Sequence, residues 1–141
     1  QPDFTANHTN SADLISAAAV DFLSRQTKAK PWYMYLPFQN IHGPYTTEDK
    51  FYQMYMTPKG KFTPGEMTIF GYITEMDFAV GRIITQLDSS GFSDNTVVIF
   101  SSDNGAPPAI DDVNHANGEY IARNFPYRGY KTESWEGGTR G

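Results

Sequence analysis

The stretch "VVIFSSDNGAPP", residues 97–108, decides the reading of the fold. Val97, Val98, Ile99 and Phe100 run directly into Ser101, Ser102, Asp103, Asn104 and Gly105. A continuous apolar run bounded by turn formers reads as a buried strand. Its polar end admits two readings. Asp-Asn-Gly makes a good turn, because these residues tolerate positive φ. Asp103 and Asn104 also offer a carboxylate and an amide carbonyl, the oxygen donors that Ca²⁺ and Mg²⁺ take. Two donors fall short of the about six to eight oxygens around Ca²⁺. Further acids are then required, and Asp111 and Asp112 are candidates.

A second apolar run, "WYMYLPF" at 32–38, is bounded by prolines and also reads as a strand. Between the two runs, residues 66–90 carry Ile69, Ile73, Met76, Val80, Ile83, Ile84 and Leu87 at spacings of three and four. That is the pattern of a helix with one apolar face, and Gly91 stops it. Strand, crossover helix, strand is a βαβ unit, whose strands are expected to be parallel and adjacent or nearly so. The expected fold class is α/β, a mostly parallel sheet covered by helices. Upstream, Ser11 or Asp13 is expected to cap a helix running to about Gln26. Residues 45–65 and 105–124 read as irregular or loop.

In open α/β sheets, sites gather beyond the carboxyl ends of the strands. "QNIH" after the first run and "SSDNG" after the second are therefore expected to face one crevice. His42 is suited to proton transfer near neutral pH, or is a loop histidine bonded to backbone. Downstream, "RGYKTESWEGGTRG" at 128–141 brings Arg128 and Lys131, and lysine binds oxyanions as a point charge. The alternative there is a solvated basic loop. Nothing in this set supplies an attacking nucleophile.

Composition narrows the classes. The net charge of -5 over 141 residues offers no basic surface for a nucleic acid. No apolar run approaches membrane-spanning length. The absence of cysteine removes disulfides and thiolate metal sites. Asn7-His8-Thr9 fits the glycosylation acceptor pattern, a pointer to secretion. The chain opens on Gln1 rather than Met, so it is expected to be a processed form or an excerpt.

"FQNIHGPY", "YITEMDFAVGRIITQLDSSGFSDNTVVIFSSDNG" and "YRGYKTESWEGGTRG", in this order, resemble the sulfatase family of the alkaline-phosphatase-like superfamily. The likeness is greatest to the animal arylsulfatase B type, which removes sulfate from N-acetylgalactosamine. It covers nearly the whole chain, most strongly 66–105 and 125–141. The resemblance implies that Asp103 and Asn104 are ligands of an active-site Ca²⁺. It implies that Lys131 contacts the substrate sulfate and that His42, beside it, protonates the leaving alcohol. It also implies a lysosomal or secreted enzyme acting on a sulfated carbohydrate or aryl sulfate.

This chain departs from the family pattern in one respect above all. Family members carry Cys-x-Pro-x-Arg, whose cysteine becomes formylglycine, the attacking group. No cysteine is present here, and the first strand's acidic metal ligands are also missing. Residues 1–141 are thus expected to be the central part of a sulfatase catalytic domain, inactive alone. Two alternatives remain: a sulfatase-derived binding or structural module, and a related metal-dependent phosphodiesterase.

Overall fold

The computed structural model describes residues 10–107 and 124–140. Its backbone is organised by one long helix. Helix α1 spans Ser11–Ser24, α2 Asp49–Gln53, α3 Pro64–Ser89 and α4 Glu136–Thr139, with a single 3-10 turn at Ser93–Asn95.

The start of α3 is dictated locally. Thr63 caps it, its hydroxyl accepting from Glu66 N at 3.2 Å while Glu66 Oε2 accepts from Thr63 N at 2.8 Å. This reciprocal capping box satisfies two orphan donors of the first turn. Pro64 sits in the first turn, where its missing N–H costs nothing. At the other end Gly91 has φ +71°, a conformation that glycine adopts without strain. Helix α1 is capped by Asn10, whose side chain accepts from Ala12 N at 2.9 Å. The cap thus lies one residue before the expected Ser11, and asparagine is as effective there as serine. The helix ends at Ser24, short of the expected Gln26. Helix α2 occupies part of the stretch expected to be irregular.

Helix α3 packs on α1 and α2. Ala12, Ser16, Ala19 and Ala79 are buried, small residues that let the helices approach closely. Arg82 of α3 reaches Asp13 and Ser16 of α1. A second cluster joins Leu23, Leu87 and Phe92, with Phe22, Trp32, Met34 and Ile83 against it. Trp32 stands edge-on between Phe22 and Phe92, at centroid separations of 6.0 and 5.9 Å. Such edge contacts suit the ring quadrupoles.

The two expected strands are not paired. Among the described residues no β-ladder forms, so neither 32–38 nor 97–101 is part of a sheet there. Along 32–38, exposure alternates: Trp32, Met34, Leu36 and Phe38 are half-buried, while Tyr33, Tyr35 and Pro37 are exposed. That is the period-two pattern of a strand with one covered face. The second run is bare, with Val97 86% and Ile99 84% exposed. A strand is completed by neighbours about 4.8 Å away on its edges, and these two runs do not serve each other in that way.

Candidate active site

Between the two runs and α3 lies a trough of about 2810 Å³. Ligand pockets are about 300–1,000 Å³, so the trough is large enough to hold a further layer of backbone. The apolar stripe of α3 read from the sequence, Ile69, Ile73, Met76, Val80, Ile83, Ile84 and Leu87, lines it throughout. His42, Asp103, Asn104 and Lys131 line it too. The loops after the two runs therefore open on one space. Asp111 and Asp112, the candidate extra acids, lie outside the described residues, as does Asn7.

The Asp103–Asn104 turn is built by local bonds. Ser102 Oγ donates to the Asn104 carbonyl at 2.7 Å, and Ser101 Oγ to the Ser102 carbonyl at 3.0 Å. Both hydroxyls are engaged with backbone, which leaves neither poised as a nucleophile. Asp103 is exposed and Asn104 half-buried. Both are hard oxygen donors of the kind Ca²⁺ takes. Among the described residues no group of three or more His, Asp or Glu side chains gathers as a metal centre. The pair fits part of the about six to eight oxygens that Ca²⁺ takes, and does not make a complete shell.

Gly105 fastens this turn to the 124–140 segment. Its N–H donates to the Gly138 carbonyl at 3.0 Å, and a Cβ here would overlap the Gly137 carbonyl oxygen. Only glycine allows that approach. Asn124 completes the join: its Oδ1 accepts from Ala106 N at 2.8 Å, and its Nδ2 donates to the Ala106 and Gly129 carbonyls at 3.0 and 3.2 Å. Lys131 N donates to the Ala106 carbonyl at 2.9 Å. The lysine backbone is thereby tied two residues beyond Asn104. Arg128, the other candidate cation, stacks on Trp135 with its guanidinium carbon 3.9 Å from the ring centroid. Glu136, Gly137 and Gly138 form the first residues of α4.

His42 is exposed, and its N–H closes a turn on the Gln39 carbonyl at 2.8 Å. Its Nδ1 lies 2.8 Å from the Gly43 carbonyl oxygen. A carbonyl only accepts, so Nδ1 carries the proton and Nε2 is free to exchange one with a ligand.

Two residues of this region escape sequence reasoning. Asn124 lies in a polar stretch and carries no motif. Glu75 is a carboxylate on the packed side of α3, between buried Tyr72 and Ala79, and is itself 3% exposed. An acid at spacings of three and four from buried positions is a signal the sequence does contain. Burial pushes the Tyr72 phenol above its ordinary value, and the Glu75 charge adds to it.

The chain matches the sulfatase family over residues 1–141. It is 34% identical to an N-acetylgalactosamine-6-O-sulfatase of Bacteroides thetaiotaomicron over 92% of this chain and 24% of that protein. It is 30% identical to the steryl-sulfatase of Rattus norvegicus over 89% of this chain and 20% of the relative. Among solved structures, Ps i-CgsB in complex with k-i-k-neocarrahexaose superposes with a TM-score of 0.75 at 28% identity, covering 91% of this chain and 26% of that one. The chain thus spans between a fifth and about a quarter of the relatives it matches. No helix among the described residues is long and apolar enough to cross a membrane. With the family matched along its whole length, this chain belongs to the sulfatase family, and its fold neighbours are of the alkaline-phosphatase-like kind.

Proposed function

We propose that residues 1–141 are the central portion of a sulfatase catalytic domain whose full-length protein hydrolyses sulfate esters. In this reading 32–38 and 97–101 are strands of one mostly parallel sheet. Strands from the rest of the protein fill the trough and cover the α3 stripe. What supports this is the apolar character of all three walls. Soluble proteins rarely leave so large an apolar surface uncovered.

Within the site, Lys131 binds a sulfate oxygen as a point charge. His42, held through Nδ1–H, acts as the imidazolium: it delivers the Nε2 proton to the bridging oxygen as the sulfur–oxygen bond breaks and is left neutral with its proton on Nδ1. Asp103 and Asn104 would hold Ca²⁺, which would neutralise charge on the sulfate. The nucleophile, a formylglycine, belongs to a segment outside these residues. The observation that carries the reading is the Lys131 to Ala106 backbone bond, which sets the lysine beside the Asp103–Asn104 turn on a trough shared with His42.

The substrate class is a sulfated carbohydrate or aryl sulfate. The N-acetylgalactosamine sulfatase and the neocarrahexaose complex among the relatives favour a sugar sulfate. A lysosomal or secreted location, with Asn7 glycosylated, accompanies this reading. The test is phenol release from an aryl sulfate by the full-length protein, with and without Ca²⁺. Calcium-dependent turnover is expected, and Asp103→Ala should raise the Ca²⁺ concentration needed. A complete reading frame without Cys-x-Pro-x-Arg and without turnover would instead mark an inactive sulfatase-derived module. Hydrolysis of phosphodiesters in preference to sulfates would mark the related phosphodiesterase.

A further inference from the structure

Glu75 is a buried acid with no ion-pair partner among the described residues. Its oxygens instead receive the two ends of the loop that carries His42. Asn40 Nδ2, two residues before the histidine, donates to Oε1 at 3.2 Å and to the Tyr72 carbonyl at 3.1 Å. Beyond the histidine, Thr47 Oγ1 and Glu48 N approach Oε2, both at 3.4 Å. One carboxylate on one turn of α3 therefore gathers donors from both sides of His42. Gly71 makes room for this: a Cβ there would stand 2.8 Å from Thr47 Cγ2 and 3.1 Å from Tyr52 N. The helix is bare where the loop lies against it.

A carboxylate accepts on both oxygens, whereas an amide accepts on one and donates on the other. The set of donors around Glu75 matches the first and conflicts with the second. An unpaired acid in a packed helix interface is costly. A bland apolar residue would serve packing alone, so the acid answers to the loop.

We propose that Glu75 is the positioning residue for His42, fixing the 40–48 loop at both ends so that the imidazole meets the leaving oxygen. This rests on the assignment of His42 as proton donor. Glu75 touches no substrate and acts only through the loop.

The test compares full-length enzyme variants on two sulfate esters, one of an acidic phenol and one of a sugar alcohol. Protonation matters most for the poorer leaving group. Glu75→Gln is expected to lower kcat on the sugar ester by about 10-fold or more. The loss on the phenol ester is expected to be smaller, with KM little changed. In a His42→Ala background, Glu75→Gln is expected to cost nothing further, because residues acting as one unit are non-additive. Thr47→Val, which keeps the shape and removes one donor, should give the same leaving-group signature in weaker form even if the Gln variant fails to fold. An equal loss on both esters, or a full additional loss without His42, would overturn the positioning role alone. If His42→Ala itself is insensitive to the leaving group, the proton-donor assignment fails and the positioning role falls with it.

Discussion

Helix α3 has two sides with opposite fates. On one side it meets α1 and α2, where Ala12, Ser16, Ala19 and Ala79 are buried and Arg82 crosses to Asp13. On the other, Ile73, Met76, Val80 and Ile84 line an open trough, across which Val97 and Ile99 stand exposed. Both sides carry apolar residues, and the packed side also holds Glu75 and Arg82, so hydrophobicity alone does not explain which side is covered. What separates them is the reach of the partner. A helix satisfies its own backbone, and its side chains find a neighbouring helix within the same 141 residues. A strand needs neighbours on both edges, and in parallel sheets these come from distant segments.

The largest expected effect breaks this comparison at the level of chemistry. Purified 1–141 should release no phenol from an aryl sulfate, because no cysteine, hence no formylglycine, is present. In the full-length enzyme, His42→Ala should lower turnover by about 10²–10⁴-fold. Multiple turnover by the purified 141-residue chain would show that a nucleophile lies within it.

Stability sharpens the same contrast. Leu23 is 1% exposed in the cluster with Leu87 and Phe92. Leu23→Ala should cost about 2–5 kcal/mol wherever the helical layer folds. Val97→Ala should change the isolated chain by only about 0.5 kcal/mol, the figure for surface positions. In the full-length protein, where a sheet is proposed to cover Val97, the same change should cost clearly more. Urea unfolding of both forms measures this. An equal, small cost in both would leave 97–101 outside any sheet.

The sequence was legible where the physics is local. The seven apolar residues of α3 occupy one stripe as their spacing requires, and Gly91 stops the helix. The Thr63-Pro64-Gly65-Glu66 start is equally local, yet the apolar period alone begins later and misses it. Five-residue α2 is too short to show a period. The 32–38 run has the alternation of a strand, but its pairing depends on residues far away. His42, Asp103, Asn104 and Lys131 were picked out by motif, and the structure sets all four along one trough. Asn124 was not, because its role consists of bonds to Ala106 and Gly129 that no spacing announces. Glu75 was legible only as an acid out of place.

A smaller effect separates helix ends from helix faces. Thr63→Ala removes the hydroxyl that accepts from Glu66 N and should cost about 1 kcal/mol. Glu66→Ala removes the reciprocal bond to Thr63 N. Because the two residues contact each other, the double variant should cost less than the sum of the singles. Strict additivity would mean the capping box does not act as a unit.

The smallest effect lies at Thr132, next to the trough-lining Lys131. Its φ is +80°, a region that a β-branched side chain enters only under constraint. Such residues store roughly 1–3 kcal/mol. Thr132→Gly removes the strain but also frees the unfolded chain, an opposing change of about 0.4–1 kcal/mol. With the strain at the low end of its range, the net result should be a gain of about 0.6 kcal/mol or less, read as a small rise in the urea midpoint. Thr132 follows Lys131 directly, and Lys131 N is held by the Ala106 carbonyl. If that strained bend aims the lysine at the sulfate, the stabilised variant should show a raised KM in the full-length enzyme. A gain in stability with KM unchanged would leave the bend a matter of chain geometry, with Lys131 aimed by its bond to Ala106 alone.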